Sequence, residues 1–269
     1  MSRSAEQRAE ELLQAGHSAV NDSDLSRAVE QFTRCAQAYA QVPGAEEEQA
    51  LVLGLAGQIH EELEQPEEAE SAYQEALRLF FTHVPGSEKD QGLTMASLGH
   101  LMTGQERFAA AIPHFAAALS ALTAAGDTGS PDLIGTYMGL GMAHINSAEP
   151  EQGAAAYQRA IELLRTLPEA STELGVCWMG LGIAFTQLED DALAQRGFDQ
   201  ALRFFEQHPG NAPFVAETLT HYATLHEHSG RNEQALAAYE RARDIYAAAT
   251  ELEAAAECTA QIDRLRDAP

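Results

Sequence analysis

Apolar residues recur along this chain at spacings of three and four, in blocks separated by short polar or proline-containing stretches. In one pair of blocks, Val176, Leu181 and Phe185 lie on the same side of the first block, and Phe198 and Leu202 lie on the same side of the second. This spacing is typical of amphipathic α-helices, and no stretch shows the sustained alternation expected of strands. Abundant alanine also favours helix. The pattern therefore predicts an all-α protein.

The pattern is regular enough to place every helix. The predicted helices span 4–20, 24–41, 46–63, 66–83, 88–104, 107–125, 131–146, 150–166, 170–188, 191–207, 212–229, 232–249 and 250–266. Proline and glycine mark several of the ends, as at 84–86 and 208–210, because glycine suits a helix C-cap and proline cannot continue a helix. Pro113 is the exception: it lies inside a predicted helix and should kink that helix or mark a later start for it.

Six copies of one residue skeleton run along the chain. Each copy has a small residue, a second small residue 12 positions later, an aromatic residue 16 later and a third small residue 19 later. The first members are 41 or 42 residues apart, and they are Gly16, Gly57, Gly99, Gly141, Gly182 and Ala223. A fixed period of this size predicts stacked helical hairpins, each of which needs a neighbour to bury its apolar faces.

The period divides residues 1–249 into six repeats. They cover about 5–41, 46–83, 88–125, 131–166, 170–207 and 212–249. Residues 250–269 are predicted to form a C-terminal capping helix and tail, because an array of repeats needs a last element with one polar face. The apolar stripe expected on that helix is Leu252, Ala255, Thr259, Ile262 and Leu265.

The fifth copy carries a family motif. It closely resembles the tetratricopeptide repeat pattern, and the other copies match with substitutions. The matching residues are Trp178, Leu181, Gly182, Phe185, Ala194, Phe198 and Ala201. The period of 41–42 residues is similar to the long-helix variety of this family, as in kinesin light chain. The resemblance implies a right-handed superhelical solenoid of about six hairpins plus a C-terminal helix, in which Trp178 packs between helices.

The resemblance also implies where a partner would bind, since in this family the first helix of each hairpin lines a concave groove. Carried onto this chain position by position, the partner-binding residues are Leu55, Gln58, Ser97, His100, Met138, Gly139, Met142, Ile145, Met179, Gly180 and Ile183. None of them is Lys or Arg, which chaperone-binding members use to hold an acidic C-terminus. Gly139 and Gly180 either open floor space for a ligand beside adaptable methionines or only let neighbouring helices pack tightly.

The net charge narrows the class of partner. Sixteen Lys and Arg against 41 Asp and Glu give a formal net charge of −25. This charge repels nucleic acid and anionic membrane surfaces and attracts basic proteins. Among the groove positions of the four central repeats, Glu61 is the one carboxylate, so we expect the acidic residues mostly outside the groove.

The sequence has no membrane-spanning segment and no catalytic or metal-binding motif. No segment is long and apolar enough to span a membrane, and residues 1–16 are polar, so we expect a cytoplasmic protein with no membrane insertion. Cys35, Cys177 and Cys258 lie far apart, and no metal-ligand spacing, phosphate-binding loop or nucleophile motif is present. We therefore expect no enzyme activity, no metal and no cofactor.

Together these features favour a non-catalytic protein that binds an apolar or basic protein or peptide in an apolar groove. Such a protein would be an adaptor, an assembly chaperone or a regulator. Two alternatives stay open. One is a self-assembling scaffold that forms homo-oligomers, and the other is a sensor of a small molecule or a peptide signal.

Overall fold

The computed structural model describes residues 4–167, 171–207 and 209–267, and within these ranges it is all-α, with no β-strand. The elements are α1 (Ala5–Asn21), α2 (Leu25–Tyr39), α3 (Glu46–Glu62), α4 (Pro66–His83), α5 (Glu88–Gly104), α6 (Phe108–Ala124), α7 (Pro131–Asn146), α8 (Pro150–Leu164), α9 (Ser171–Gln187), α10 (Asp191–Phe205), a 3-10 turn (Pro209–Asn211), α11 (Ala212–His228), α12 (Asn232–Ala248) and α13 (Leu252–Asp267). The helix ends predicted from the sequence agree with these bounds to within two residues. The predicted start at residue 170 and the tail at 268–269 lie outside the described residues.

The chain divides into two compact units, residues 1–139 and 140–269. The first unit contains the hairpins α1–α2, α3–α4 and α5–α6 and the first part of α7. The second contains the end of α7, helix α8, the hairpins α9–α10 and α11–α12, and α13. Each unit has its own buried apolar side chains, drawn from every helix it contains.

The recurring glycine is explained by the recurring aromatic residue. In the first unit, a Cβ atom built on Gly57 would lie 2.6 Å from the ring of Tyr73, and one built on Gly99 would lie 2.7 Å from the ring of Phe115. In the second unit, Gly182 stands in the same relation to Phe198, at 2.6 Å. These distances are too short for any side chain, so glycine lets the ring of the second helix lie directly on the first helix. The 16-residue spacing in the sequence is therefore a packing contact within each hairpin.

The turns inside the hairpins share one backbone conformation. A residue with positive φ ends the first helix at each of Ser23, Glu64, Glu106, Ala148, Glu189 and Gly230, with φ between 56° and 69°. The next N–H then bonds back to the helix, as in the 2.9 Å bond from Gln65 N to the carbonyl oxygen of His60. This closure resembles the Schellman motif, in which glycine is usual. Here only one of these six positions is glycine, so the tight turn is held mainly by its hydrogen bonds and by the packing of the hairpin.

Two sequence-based expectations need correction. Helix α6 begins at Phe108 and contains Pro113, so of the two alternatives for this proline the later start is wrong and the kink stays a prediction. On α13, Leu252 is 72% exposed and Thr259 is exposed, and the buried stripe is instead Ala255, Cys258, Ile262 and Leu265. The observed stripe keeps the three- and four-residue spacing of the predicted one, but Cys258 takes the place that was assigned to Thr259.

Trp178 is less completely buried than a residue packed between helices is expected to be. The side chain packs partly against the buried cluster of the second unit but is only half-buried. The guanidinium carbon of Arg165 lies 5.9 Å from the centre of its ring, a distance suited to a cation–π contact. Trp178 is therefore a packing residue with one side open to water. In the described part of the chain, no helix is long and apolar enough to cross a membrane.

Candidate functional site

The candidate site is a cavity of about 630 Å³ in the second unit. Its walls come from the C-terminal end of α7 and from α9 and α11, which are the first helices of three successive hairpins. Two aromatic side chains from second helices, Tyr157 of α8 and Phe198 of α10, close the floor between these walls. The cavity therefore lies along the face that the family resemblance assigns to partner binding.

Helical spacing explains why these side chains share a wall. On α9 the lining residues are Val176, Met179, Gly180, Ile183 and Gln187, and on α11 they are Phe214, Glu217, His221, Thr224 and His228. Both sets follow the three- and four-residue spacing of one helix face. The opposite face of α9, including Cys177 and Ala184, is fully buried in the packing of the unit.

The apolar part of the lining is held in place by specific contacts. The Thr218 hydroxyl lies 3.3 Å from the sulfur of Met179, and the side-chain amide of Gln187 donates to the carbonyl oxygen of Ile145 at 3.4 Å. Met179 and Ile145 are almost fully buried, at 7% and 6% exposure. Met142 is 39% exposed and stands at the cavity mouth, where a flexible thioether can adapt to different apolar partners.

The polar part of the lining includes three groups that the protein does not pair. Among the described residues, Tyr157, Glu217 and His221 form no side-chain hydrogen bond and no ion pair. Burial raises the pKa of the Glu217 carboxyl and lowers the pKa of the His221 imidazole, because the surrounding helices remove water from both charged forms. His221 is therefore neutral near neutral pH, and Glu217 carries the one negative charge of the lining.

The eleven residues predicted for the groove fall at four places. Met142, Ile145, Met179, Gly180 and Ile183 line the cavity of the second unit. In the first unit, Leu55, Gln58 and Ser97 line a smaller cavity of about 160 Å³. His100 borders a separate depression of about 310 Å³, which Glu61 also lines. Met138 and Gly139 belong to the first unit and line none of these three.

The suggestion that Gly139 and Gly180 open floor space for a ligand is wrong. A Cβ atom on Gly180 would lie 2.4 Å from the ring of Tyr157, and one on Gly139 would lie 2.6 Å from the ring of Phe115 and 3.0 Å from His100. The space beside each glycine is already filled by an aromatic ring of the preceding hairpin. These glycines serve close helix packing, which was the alternative explanation of the pattern.

Sequence reasoning missed two lining residues that matter chemically, Glu217 and Tyr157. Glu217 stands six residues before the small residue of its repeat motif, where the four repeats before it have Leu51, Leu93, Gly135 and Val176. The first repeat has Glu10 at this position, so the available signal was a carboxylate that follows four repeats in which the position is apolar or glycine. Tyr157 was recognised only as the motif aromatic, although its ring borders the cavity.

Other reactive groups are placed away from this cavity. The three free cysteines are buried, and burial raises the pKa of Cys35 to about 11 and that of Cys177 to about 12. Within the ranges the structure describes, no group of three or more His, Cys, Asp or Glu side chains is arranged to hold a metal ion. His60 and His144 form hydrogen bonds to Gln65 and Glu149 at 2.7 Å across the hairpin turns.

Comparison with known proteins agrees with this fold. Family models described as tetratricopeptide repeat match residues 50–83 and 174–248. No curated protein sequence matches the chain.

Solved structures resemble it over most of its length. BtubC (BKLC) from P. vanneervenii is 19% identical with a TM-score of 0.68, and the match covers 93% of each chain. A tetratricopeptide repeat protein from Parabacteroides merdae ATCC 43184 is 17% identical with a TM-score of 0.65, covering 96% of this chain and 93% of that one. A Rap protein complexed with Competence and Sporulation Factor is 11% identical with a TM-score of 0.57, covering 98% and 76%.

Likeness at these identities shows the fold, and it confirms the predicted all-α helical-repeat solenoid. Membership of the long-repeat variety stays a prediction. The family matches in both units and the shared fold agree with the repeated motif in the sequence. The chain contains tetratricopeptide repeats, matched at residues 50–83 and 174–248.

Proposed function

We propose that this protein is a non-catalytic protein- or peptide-binding repeat protein, acting as an adaptor, an assembly chaperone or a regulator. Its partner would be held in the apolar groove, centred on the cavity of the second unit. The observation that supports this most directly is the exposed Met142 at the mouth of a cavity whose walls include Ile145, Met179 and Ile183. A pocket of this size, mainly apolar with a few unpaired polar groups, has the usual form of a binding site.

Family and charge support the same function. A protein of this fold has been seen in complex with Competence and Sporulation Factor, so the fold is able to hold a partner. The net charge of −25 favours a basic partner over nucleic acid. The high pKa values of the buried thiols give no support to cysteine-based catalysis, which depends on a thiolate.

A matched pair of charge substitutions tests the site. Met142→Lys places an ammonium at the cavity mouth, and Leu193→Lys places one at an equally exposed apolar residue of α10 that does not line the cavity. The two side chains are 39% and 37% exposed, so both variants should fold with similar melting temperatures. In affinity capture from native lysate, we expect Met142→Lys to lose the partner proteins that the parent and Leu193→Lys retain. Equal capture by all three would remove the cavity from consideration.

The same preparation separates the two alternatives. A self-assembling scaffold would sediment with a mass that rises with protein concentration, whereas a binder of other proteins would sediment at one mass in the absence of its partner. A small-molecule sensor would release a co-purified ligand, visible by mass spectrometry after mild denaturation. A concentration-independent mass and no released small molecule are the results expected for the proposed function.

A further inference from the structure

The starting point is the unpaired hydroxyl of Tyr157. Its side chain is only 6% exposed, it borders the cavity, and its hydroxyl forms no hydrogen bond with the described residues. The equivalent tyrosines are paired: Tyr73 donates to Glu61, and Tyr239 donates to Glu227 at 2.8 Å. The side chain as a whole is buried, but its hydroxyl oxygen is not one of the enclosed atoms that lack a partner, so it keeps contact with solvent and can donate to a molecule in the cavity.

The repeat pattern shows why this hydroxyl is left over. Glu61 and Glu227 stand four residues after the small motif residue of their repeats. In the repeat of Tyr157 that position is Ile145, an apolar residue of the cavity wall. This hairpin therefore has the tyrosine but not the carboxylate that accepts the tyrosine hydrogen bond in the other two hairpins. The Tyr157 hydroxyl can donate a hydrogen bond to a bound molecule instead.

A carboxylate stands nearby on a different helix. Glu217 of α11 lines the same cavity as Tyr157, and its charge is the smallest of the influences that raise the pKa of Tyr157, after burial and Cys177. Among the residues that line this cavity there is no Lys and no Arg. Glu217 is exposed to the solvent in the cavity, and no cationic side chain of the lining pairs with it, while the nearby walls raise its pKa by desolvation. A cation that enters with a ligand can therefore form a charge-assisted hydrogen bond with this carboxylate.

The remaining lining suits the rest of a basic side chain. His221 lies one helical turn after Glu217 on the same face of α11, and as a neutral imidazole it has one nitrogen that can accept a hydrogen bond. Met179 and Ile183 provide apolar surface opposite. Lys and Arg side chains combine a cationic head with an aliphatic stem that packs on such surface.

We propose that the cavity binds a lysine or arginine side chain of a partner peptide, with its cation on Glu217 and its aliphatic stem against Met179 and Ile183. The Tyr157 hydroxyl would donate a hydrogen bond to a carbonyl oxygen of the peptide backbone beside that side chain. The proposal rests on the proposed peptide-binding function and adds the chemistry of the residue that is recognised. The formal charge of −25 would also speed the approach of a basic peptide, but the selectivity would come from Glu217.

The test uses four pools of degenerate ten-residue peptides that differ only at a fixed central residue: Lys, Arg, norleucine or Glu. Immobilised full-length protein is exposed to each pool, and retained peptide is quantified. We expect the Lys and Arg pools to be retained about tenfold more than the norleucine pool, and the Glu pool least, as for one charge-assisted contact. Glu217→Gln should bring the Lys, Arg and norleucine pools to equal retention. Glu151→Gln, which removes the same charge from an exposed position of α8, should keep the tenfold preference.

Two tyrosine variants separate ligand binding from folding. Tyr157→Phe should lower retention of all four pools about threefold without lowering the melting temperature, because the hydroxyl has no partner within the described chain. Tyr73→Phe should lower the melting temperature and leave retention unchanged, because that hydroxyl donates to Glu61 in the first unit. The reverse result for the two variants would overturn the role of Tyr157.

The possible failures are distinguishable. Equal retention of the Lys, Arg and norleucine pools by the parent protein, with loss of all of them in Met142→Lys, would leave peptide binding in place and overturn the recognition of a cation. A tenfold preference that survives in Glu217→Gln would assign the selectivity to overall charge and overturn the role of Glu217. No retention of any pool would overturn both the proposed peptide-binding function and this inference.

Discussion

Helix α7 contains two glycines one turn apart whose surroundings are opposite, and this gives a sharp test of the packing. A Cβ atom on Gly135 would meet nothing within 4 Å, whereas one on Gly139 would lie 2.6 Å from the ring of Phe115. Both positions are in the same helix and in the first unit. Replacing either glycine by alanine gives the same gain in helix propensity, about 0.5–1 kcal/mol. The two variants therefore differ only in what the new methyl group contacts.

The contact at Gly139 cannot be relieved cheaply. The ring of Phe115 is fully buried and lies against Gly99 as well, where an added Cβ would be 2.7 Å away, so it has little room to move. Forcing an extra carbon into such packing costs roughly 1–3 kcal/mol. Gly135→Ala should therefore be stabilising, and Gly139→Ala should be less stable than Gly135→Ala by about 1–3 kcal/mol. For a chain of this size that corresponds to a difference in melting temperature of roughly 2–12 °C.

Thermal melts followed by circular dichroism measure the difference, and hydrogen exchange of the α6 and α7 amides shows whether the loss is local. The cause is checked by repeating Gly139→Ala in a Phe115→Leu background, where the ring atoms that meet the new methyl group are gone. There the substitution should become neutral or stabilising, a coupling of about 1–3 kcal/mol. If Gly139→Ala raises the melting temperature of the parent protein as much as Gly135→Ala does, the argument that these glycines serve close packing is refuted.

Further expectations concern single groups. Because burial raises the pKa of Glu217, the folded protein holds that proton more tightly than the unfolded chain, and the charge costs stability once the pH rises above the unfolded pKa. Glu217→Gln should therefore raise the melting temperature near pH 7 but not near pH 4; an equal rise at both values would contradict this. Cys35, Cys177 and Cys258 should react with a disulfide reagent only at the rate of unfolding, since all three are buried and burial raises their pKa values. Trp178→Ala should cost about 2–4 kcal/mol, below the value for a fully buried ring, and an unchanged melting temperature would show that the ring is not packed.

The helices and their pairing could be predicted from the sequence because each repeat gives the same information again. One hairpin alone shows a weak apolar stripe, but six copies of the skeleton at a period of 41 or 42 fix the register of every helix. The register failed on α13, which has no sister copy. There Thr259 was assigned to the stripe in place of Cys258, and both choices fit helical spacing when no second copy decides between them.

Other features depend on contacts between residues far apart in the sequence. Gly180 looked like an opening because glycine has no side chain, but the ring of Tyr157, 23 positions earlier, fills the space. In the hairpin turns, Glu64 and Ala148 adopt positive φ, a conformation in which glycine is usual. The free-energy cost of positive φ at these residues is offset by hydrogen bonds and packing, which a local propensity scale does not contain.

The most informative positions in this repeat protein are those where one copy departs from its sisters. Where the copies agree, as in the glycine and aromatic pair, the residues maintain packing and are explained by the fold alone. Ile145 stands where Tyr73 and Tyr239 have a glutamate partner, so the Tyr157 hydroxyl has no carboxylate of its own hairpin to bond. Glu217 is a carboxylate where the four preceding repeats have Leu51, Leu93, Gly135 and Val176, although the first repeat has Glu10. Ile145, Tyr157 and Glu217 all line one cavity. The ring of Tyr157 packs on Gly180, but that packing uses neither its hydroxyl nor the Glu217 carboxylate, so binding is the explanation that accounts for these two unpaired groups in one cavity.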